Sequence, residues 1–196
     1  MLLSIVTMIL MLNQGAMLEL RSGDWPAAAN TWRQVLTLSE QSYGPNHPVT
    51  AILLRNLAGV YRRQELYRKS EVLAQRSISI LESRFGPEDA SLVPSLNTLA
   101  EVCFEEHRYT EAERLLKRAL VIGATNPDAH FATTLHDLAA IYQVEGKLAK
   151  ANPLYEQALR IRNALMGPGN PYDTATLENL ERMRTSVVKA SRRSSR

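Results

Sequence analysis

Apolar residues recur at helical spacing along this chain, and the pattern itself repeats about every 42 residues. The motif Leu-x-x-Leu-Ala-x-x-Tyr stands at 54–61, returns with cysteine in last place at 96–103, and returns with tyrosine at 135–142. A second apolar set follows each motif, starting at Tyr67, Tyr109 and Leu148. Self-similarity at this period is typical of stacked helical repeats. No stretch alternates with period two, so we expect an all-α protein.

Each repeat is interpreted as two amphipathic helices, because its apolar positions fall three and four residues apart. A short break at 64–66 separates the helices of the second repeat, and Gly-Pro pairs at 44–45, 86–87 and 167–168 end the second helices. The prediction is a right-handed α-solenoid of antiparallel helix pairs over 1–190. Its repeats lie at about 1–46, 47–88, 89–127 and 128–169, followed by a capping helix at 170–190 and a basic, disordered tail at 191–196.

Small residues recur at fixed places within the predicted helices. They are Ala58, Ala100 and Ala139 in first helices and Ala112, Ala119, Ala151 and Ala158 in second helices. Two helices that cross closely need a side chain no larger than a methyl group at the crossing, so we expect these positions to be packed. Ser70 and Ser77 hold the equivalent places in the second repeat.

The charge of the chain is concentrated at one end. The formal net charge is +3, yet six basic residues and no acid lie from Arg182 onward. The basicity therefore belongs to the tail and is not spread over a face in the manner of a nucleic-acid-binding surface, so we expect no nucleic-acid partner. The single cysteine, Cys103, rules out an internal disulfide and takes the place of a repeated tyrosine, which indicates a packed position.

The first twelve residues are apolar apart from Ser4 and Thr7. No basic residue precedes this run and no small-x-small site follows it, and it is shorter than the ~20 residues that span a bilayer. The 42-residue register favours the first helix of a degenerate leading repeat, with apolar surface available for self-association. We therefore expect a cytoplasmic protein. The alternative is an exported or membrane-associated protein that uses residues 1–12 as its signal or anchor.

The two-helix unit, with Tyr-x-x-Ala between its helices, resembles the tetratricopeptide repeat. The 42-residue spacing and the Gly-Pro linkers at 43–48, 85–89 and 166–171 resemble the kinesin-light-chain type of that repeat. The stretch 151–162 matches the same type, with Pro153 expected in the first helical turn, where amides lack intrahelical partners. The resemblance covers about Leu12 to Leu180 and implies a docking surface, with no cofactor and no enzymatic activity.

The resemblance also implies that one face of the first helices forms a groove that binds a partner. By that pattern the groove is lined by Arg55, Arg62, Asn97, Glu101, Phe104, His136 and Gln143. Phe104 is the one aromatic residue among them and the candidate hydrophobic anchor, with coverage of a neighbouring repeat as the alternative. Each repeat keeps at most one of the two adjacent asparagines that the family often shows, so a ligand must suit a mixed surface.

The residue pattern does not indicate a catalytic site or a metal site. His47 and His107 are predicted in loops, and His130 and His136 are six residues apart, unlike the i, i+4 pairing of helical metal sites. There is no glycine-rich phosphate loop and no nucleophile elbow. We therefore expect a non-enzymatic scaffold for a protein or peptide partner. The alternatives are an exported or membrane-associated version and a fragment of a longer array attached to an enzyme.

Overall fold

The computed structural model describes residues 2–170, 173–174 and 176–182, with side chains from residue 7 onward. No described residue lies in a strand, and residues 173–174 and 176–182 are helical. The longer helices are α1 (Leu2–Ser22), α2 (Trp25–Tyr43), α3 (Pro48–Arg63), α4 (Tyr67–Phe85), α5 (Val93–Glu105), α6 (Tyr109–Gly123), α7 (Ala129–Val144) and α8 (Leu148–Met166). A 3-10 turn at Ala90–Leu92 leads into α5.

Glycine ends the second helices where the sequence predicted. Gly44, Gly86 and Gly167 follow α2, α4 and α8 with φ values of 96°, 94° and 80°. Each donates its backbone N–H to the carbonyl four residues earlier, at 2.9–3.0 Å. A residue with a Cβ atom adopts such φ values only with strain, which is the reason for glycine at these ends.

Side chains cap several helix starts. Asp24 accepts a hydrogen bond from the amide of Ala27 at 3.0 Å, and Asp128 accepts one from the amide of Phe131 at 2.9 Å. The loop prediction for two histidines is confirmed: His47 caps α3 through Nδ1, and His107 lies in the turn after α5 with φ of 61°. These caps satisfy amides that a helix start leaves without a partner.

Contacts divide the chain into two compact units, which we call unit 1 (Met1–Arg108) and unit 2 (Tyr109–Arg196). In unit 1, each helix from α1 to α5 packs against the next, and α3 also contacts α5. In unit 2, α6 packs against α7 and α7 against α8. The boundary therefore falls inside the third predicted repeat, between its two helices.

The small residues of the repeat lie where the pattern predicted. Every alanine named above is at most 1% exposed, and Cys103 is fully buried. The serines do more than fill space. Ser70 donates its hydroxyl proton to the carbonyl of Ala58, and Ser77 donates to the carbonyl of Ala51, each at 2.7 Å. These bonds satisfy buried hydroxyls whose isolation would cost about 1–3 kcal/mol each.

The expected place of Pro153 in the first turn is wrong. The helix α8 begins at Leu148, so Pro153 lies inside it, at the sixth position. Proline has no amide proton, and the carbonyl of Ala149 therefore loses its usual helical donor. Ala149 and Pro153 are both exposed, so water can satisfy that carbonyl and the helix continues to Met166.

The leading helix α1 packs on α2 and leaves much apolar surface exposed. Ile9 and Ala16 are buried in a cluster with Trp32 and Val35 of α2, and the indole N–H of Trp32 donates to Asn13 at 3.1 Å. Large apolar side chains remain exposed at Met8, Leu10, Met11, Met17 and Leu18. Within the described ranges, no helix combines the length and the apolar character needed to cross a membrane.

Candidate partner-binding groove

Unit 1 contains a cavity of about 400 Å³ between its helices. Two of the residues predicted from the repeat pattern, Arg55 and Arg62, line it together. Its other lining residues are Met17, Leu20, Trp25, Trp32, Asn56, Gly59, Val60, Arg63 and Thr98. The helices α1, α2, α3 and α5 thus all contribute to one concave site.

The walls of the cavity are mainly apolar and aromatic. Met17 and Leu20 come from α1, and Trp25 and Trp32 come from α2. These are the two tryptophans of the whole chain. The guanidinium carbon of Arg63 lies 5.9 Å from the centre of the Trp25 ring, within the range of a cation–π contact. Aromatic walls beside cations suit a ligand with both apolar and anionic groups.

Arg55 is the unusual cation of this site. Its side chain lies mostly out of solvent, and this burial lowers the pKa of its guanidinium below the ordinary value. No hydrogen bond, ion pair or ring contact joins it to any residue that the structure describes. A guanidinium carries five N–H donors, so the cavity holds a charged group with unused hydrogen-bonding capacity.

Arg62 differs from Arg55 because acids compensate its charge. Its Nε atom lies 2.9 Å from Oε2 of Glu101, and its Nη1 atom lies 3.7 Å from Oε1 of Glu105. The approach to Glu101 is an ion pair without hydrogen-bond geometry, since Arg62 Nε has no hydrogen-bond partner. Burial raises the pKa of the Glu101 carboxyl, while the nearby charges of Arg62 and Arg63 oppose that rise.

The remaining predicted residues of unit 1, Asn97, Glu101 and Phe104, are not among the lining residues of the cavity. Asn97 is only 4% exposed, and Phe104 is half-buried on α5. Both already take part in interactions within the chain. The pattern placed them on the groove face of their helix without information on how deeply they are packed.

In unit 2, the predicted residues His136 and Gln143 are both bound to Tyr155. The ring of His136 meets the Tyr155 ring edge-on, with centroids 5.1 Å apart, and Oε1 of Gln143 accepts the Tyr155 hydroxyl proton at 2.8 Å. Nδ1 of His136 also lies 2.8 Å from the hydroxyl of Thr176. Burial, followed by the positive charge of Arg162, lowers the pKa of His136 to about 4. His136 is therefore neutral at pH 7.

Sequence reasoning missed part of the cavity wall. Trp25, Trp32, Leu20 and Arg63 were not among the predicted site residues. Two further lining residues, Met17 and Thr98, stand 42 residues before Gly59 and 42 residues after Asn56. The repeat register, applied to those two positions, could have found them.

A second hollow of about 740 Å³ lies around the turn between α3 and α4. Tyr61, Leu66, Tyr67, Val72 and Leu73 supply its apolar lining. Its charged lining residues, Glu65, Arg68, Lys69 and Glu106, have balanced signs. This hollow is larger than the cavity lined by Arg55 and Arg62, but it lacks an excess of one charge that would select a ligand.

Among the described residues, no group of three His, Cys, Asp or Glu side chains could hold a metal ion.

Comparison with known proteins identifies the repeats. Sequence models described as tetratricopeptide repeat match residues 7–83, 52–122 and 131–172. A clustered mitochondria protein homolog of Aspergillus niger is 25% identical over 147 residues, which are 72% of this chain and 12% of that protein. The protein kinesin light chain-related 3 of Arabidopsis thaliana is 23% identical over 133 residues, which are 65% of this chain and 20% of that protein.

The fold is also similar to solved structures. One is a crystal structure of nearly identical TPR-like repeats from a kinesin light chain candidate of Podosopora anserina, with a TM-score of 0.70 and 21% identity. The match covers 92% of this chain and 87% of that one. The chain spans no more than a quarter of the length of the curated relatives it matches. It belongs to the tetratricopeptide repeat family, with repeats of the kinesin-light-chain type.

Proposed function

We propose that this chain is a non-enzymatic scaffold that binds a protein or peptide segment on the inner face of its first helices. An acidic group of the partner binds at Arg55 in this proposal. The observation that carries it is the guanidinium of Arg55, which is largely buried in a cavity with tryptophan walls and has no partner among the described residues. Tetratricopeptide folds serve in general as surfaces for protein interaction, which agrees with this role.

Electrostatics favour an anionic ligand at this site. Arg55, Arg62 and Arg63 all line the cavity, and no acid is among its lining residues. Glu101 offsets the charge of Arg62 from outside the lining, so the site keeps a net positive charge. A carboxylate that entered would give Arg55 charge-assisted, bidentate hydrogen bonds and offset the cost of its desolvation.

The apolar walls favour a hydrophobic side chain next to the acid. Trp25, Trp32, Met17 and Leu20 offer aromatic and aliphatic surface within the same 400 Å³. Buried aromatic contacts provide much of the energy in protein recognition. The half-buried Phe104 would extend this surface within unit 1, beside Asn97 and Glu101. His136 and Gln143 of unit 2 stay partner-binding residues by the repeat pattern alone. The partner segment therefore carries an acidic residue beside an aliphatic or aromatic one.

Tryptophan fluorescence tests this proposal directly, because both tryptophans of the chain line the cavity. The probe is a blocked peptide with two glutamates and a phenylalanine, compared with the same peptide carrying glutamines. We expect the acidic peptide to change the fluorescence saturably and the glutamine peptide to bind at least about tenfold more weakly, a difference of about 1.4 kcal/mol.

Two variants make the test specific. Arg55→Gln should abolish the preference for the acidic peptide, whereas Arg114→Gln, which changes an exposed arginine of α6, should leave it intact. Equal binding of the two peptides, no binding of either, or an Arg55→Gln variant that behaves like the parent would each contradict the proposal.

A further inference from the structure

We propose that Glu101 determines which anion enters the cavity lined by Arg55 and Arg62, which we call the arginine cavity. Its carboxylate offsets the charge of Arg62, so the cavity selects a singly charged carboxylate side chain over a doubly charged phosphate. This role rests on the proposed function, because it concerns the acidic group that the partner brings to Arg55. Glu101 is a positioning residue that acts through Arg62, since it does not itself line the cavity.

The three arginines of the arginine cavity differ in what surrounds their charges. Arg55 lies mostly out of solvent and has no partner among the described residues. The side chain of Arg62 is only 15% exposed, and Oε2 of Glu101 lies 2.9 Å from its Nε atom. Arg63 is exposed beside the Trp25 ring, where water and salt screen its charge. The cavity therefore has one largely buried cation without an acid and a second one whose charge an acid offsets.

Glu101 is the stronger of the two acids that face Arg62. Its side chain is 27% exposed at a distance of 2.9 Å. Glu105 lies 3.7 Å from Nη1 of Arg62, and its side chain is 45% exposed. The attraction between two charges weakens with distance and with contact to water, and both differences favour Glu101. Neutralising Glu101 alone therefore leaves most of the charge of Arg62 without compensation.

The contact with Glu101 does not use up the hydrogen-bonding capacity of Arg62. It lacks hydrogen-bond geometry, and Nε of Arg62 is a buried donor without a hydrogen-bond partner. Arg55 and Arg62 lie on one face of α3, about 10 Å apart along the helix axis. Their long side chains line the same cavity, so an anion can approach both. Glu101 thus decides whether Arg62 acts as a second cation for the ligand.

The charge of the ligand determines how many cations it needs. The cost of taking an ion out of water grows with the square of its charge, whereas its attraction to a buried cation grows only in proportion to the charge. One guanidinium without an acid therefore suits a carboxylate, which accepts two parallel hydrogen bonds from it. A phosphate with about two negative charges needs a second buried cation, and Glu101 withholds the one that Arg62 would supply.

Tryptophan fluorescence of the full chain measures this selectivity at about pH 8, where phosphoserine carries about two negative charges. The two probes are blocked peptides that differ at one position, which is glutamate or phosphoserine beside the same phenylalanine. The parent should bind the glutamate peptide at least about threefold more tightly than the phosphoserine peptide. Glu101→Gln should reverse this preference, so that the ratio of the two dissociation constants changes at least about tenfold.

Glu71→Gln is the matched control within the same unit. The side chain of Glu71 is 21% exposed and forms an ion pair with Arg108, also at 2.9 Å, and it does not line the arginine cavity. This variant should keep the ratio of the parent. Glu101→Asp keeps the carboxylate and should keep the preference for the glutamate peptide. Circular dichroism checks that each variant keeps its helices, and a ratio measured on one folded variant does not depend on the stability that the substitution costs.

Several results would overturn the role of Glu101. They are a parent that prefers the phosphoserine peptide, a Glu101→Gln variant with the ratio of the parent, a Glu71→Gln variant that shifts the ratio equally, and a Glu101→Asp variant that behaves like Glu101→Gln. In each case, saturable binding of the glutamate peptide by the parent would leave the proposed function intact. If neither peptide binds to the parent, both the proposed function and the role of Glu101 are wrong.

Discussion

Replacing Arg55 by methionine should stabilise the protein while it abolishes binding of an acidic ligand. The guanidinium of Arg55 is largely buried without an acid or a hydrogen-bond acceptor among the described residues. The effective cost of burying an ion is several kcal/mol when burial is complete. Arg55 is half-buried by area, so we reduce this cost to about 1–2 kcal/mol. Methionine keeps an unbranched apolar stem against the same walls and removes the charge.

Urea unfolding followed by helical circular dichroism measures the effect. The midpoint should rise by roughly 0.5–1 M, given a slope of about 2 kcal/mol/M, and the slope should stay unchanged. Arg62→Met is the matched control with the opposite sign, because it leaves the carboxylate of Glu101 without its ion-pair partner at 2.9 Å. It should lose about 1–3 kcal/mol, less than a fully buried pair because both groups are partly exposed.

The two variants together decide whether Arg55 is a binding residue or a structural one. A structural arginine would be held by contacts within the chain, and its loss would destabilise the protein as the loss of Arg62 does. If Arg55→Met lowers the urea midpoint by as much as Arg62→Met, the assignment of Arg55 as an unpaired ligand-binding cation is wrong.

Three further predictions concern packing, pH and recognition. Ala119→Leu should cost roughly 1–3 kcal/mol because Ala119 is fully buried at a close helix contact, whereas Arg118→Leu should unfold at nearly the parent's urea concentration; the reverse order would contradict the register. His136 has a folded pKa of about 4 and an ordinary value of 6.5, so the unfolded chain binds its proton first as the pH falls. The contribution of His136 to stability is therefore present above about pH 6.5 and is lost towards pH 4. The loss is at most about 3 kcal/mol. The unfolding midpoint of the His136→Gln variant should depend less steeply on pH over this range than that of the parent. Phe104→Ala should weaken capture of a groove ligand by more than about 1 kcal/mol if it is a hot spot, and calorimetric titration with unchanged affinity would remove it from the site.

The repeat pattern alone determined the helices and their small contact residues. Apolar spacing and Gly-Pro punctuation act locally, so the ends of α2, α3 and α4 follow from a few neighbouring residues. The buried alanines follow from the same register, because every helix crossing in a repeat array reuses one geometry. The place of Pro153 was predicted wrongly although the apolar set starts at Leu148, because Ala149 and Pro153 are exposed and water can replace the helical hydrogen bond that a proline removes.

The site shows where sequence reasoning ends. Arg55 and Arg62 look alike in the sequence, seven residues apart on one helix face, and the pattern assigned them the same role. Tertiary structure separates them, although both line the same cavity: α5 brings Glu101 to Arg62, while Arg55 has no partner among the described residues. The charge state of a side chain, its hydration and the number of its hydrogen-bonding groups without a partner depend on neighbours that are distant in sequence. The sequence by itself therefore predicted a set of groove residues, and only the folded structure distinguished the arginine with an acidic partner from the one without a partner among the described residues.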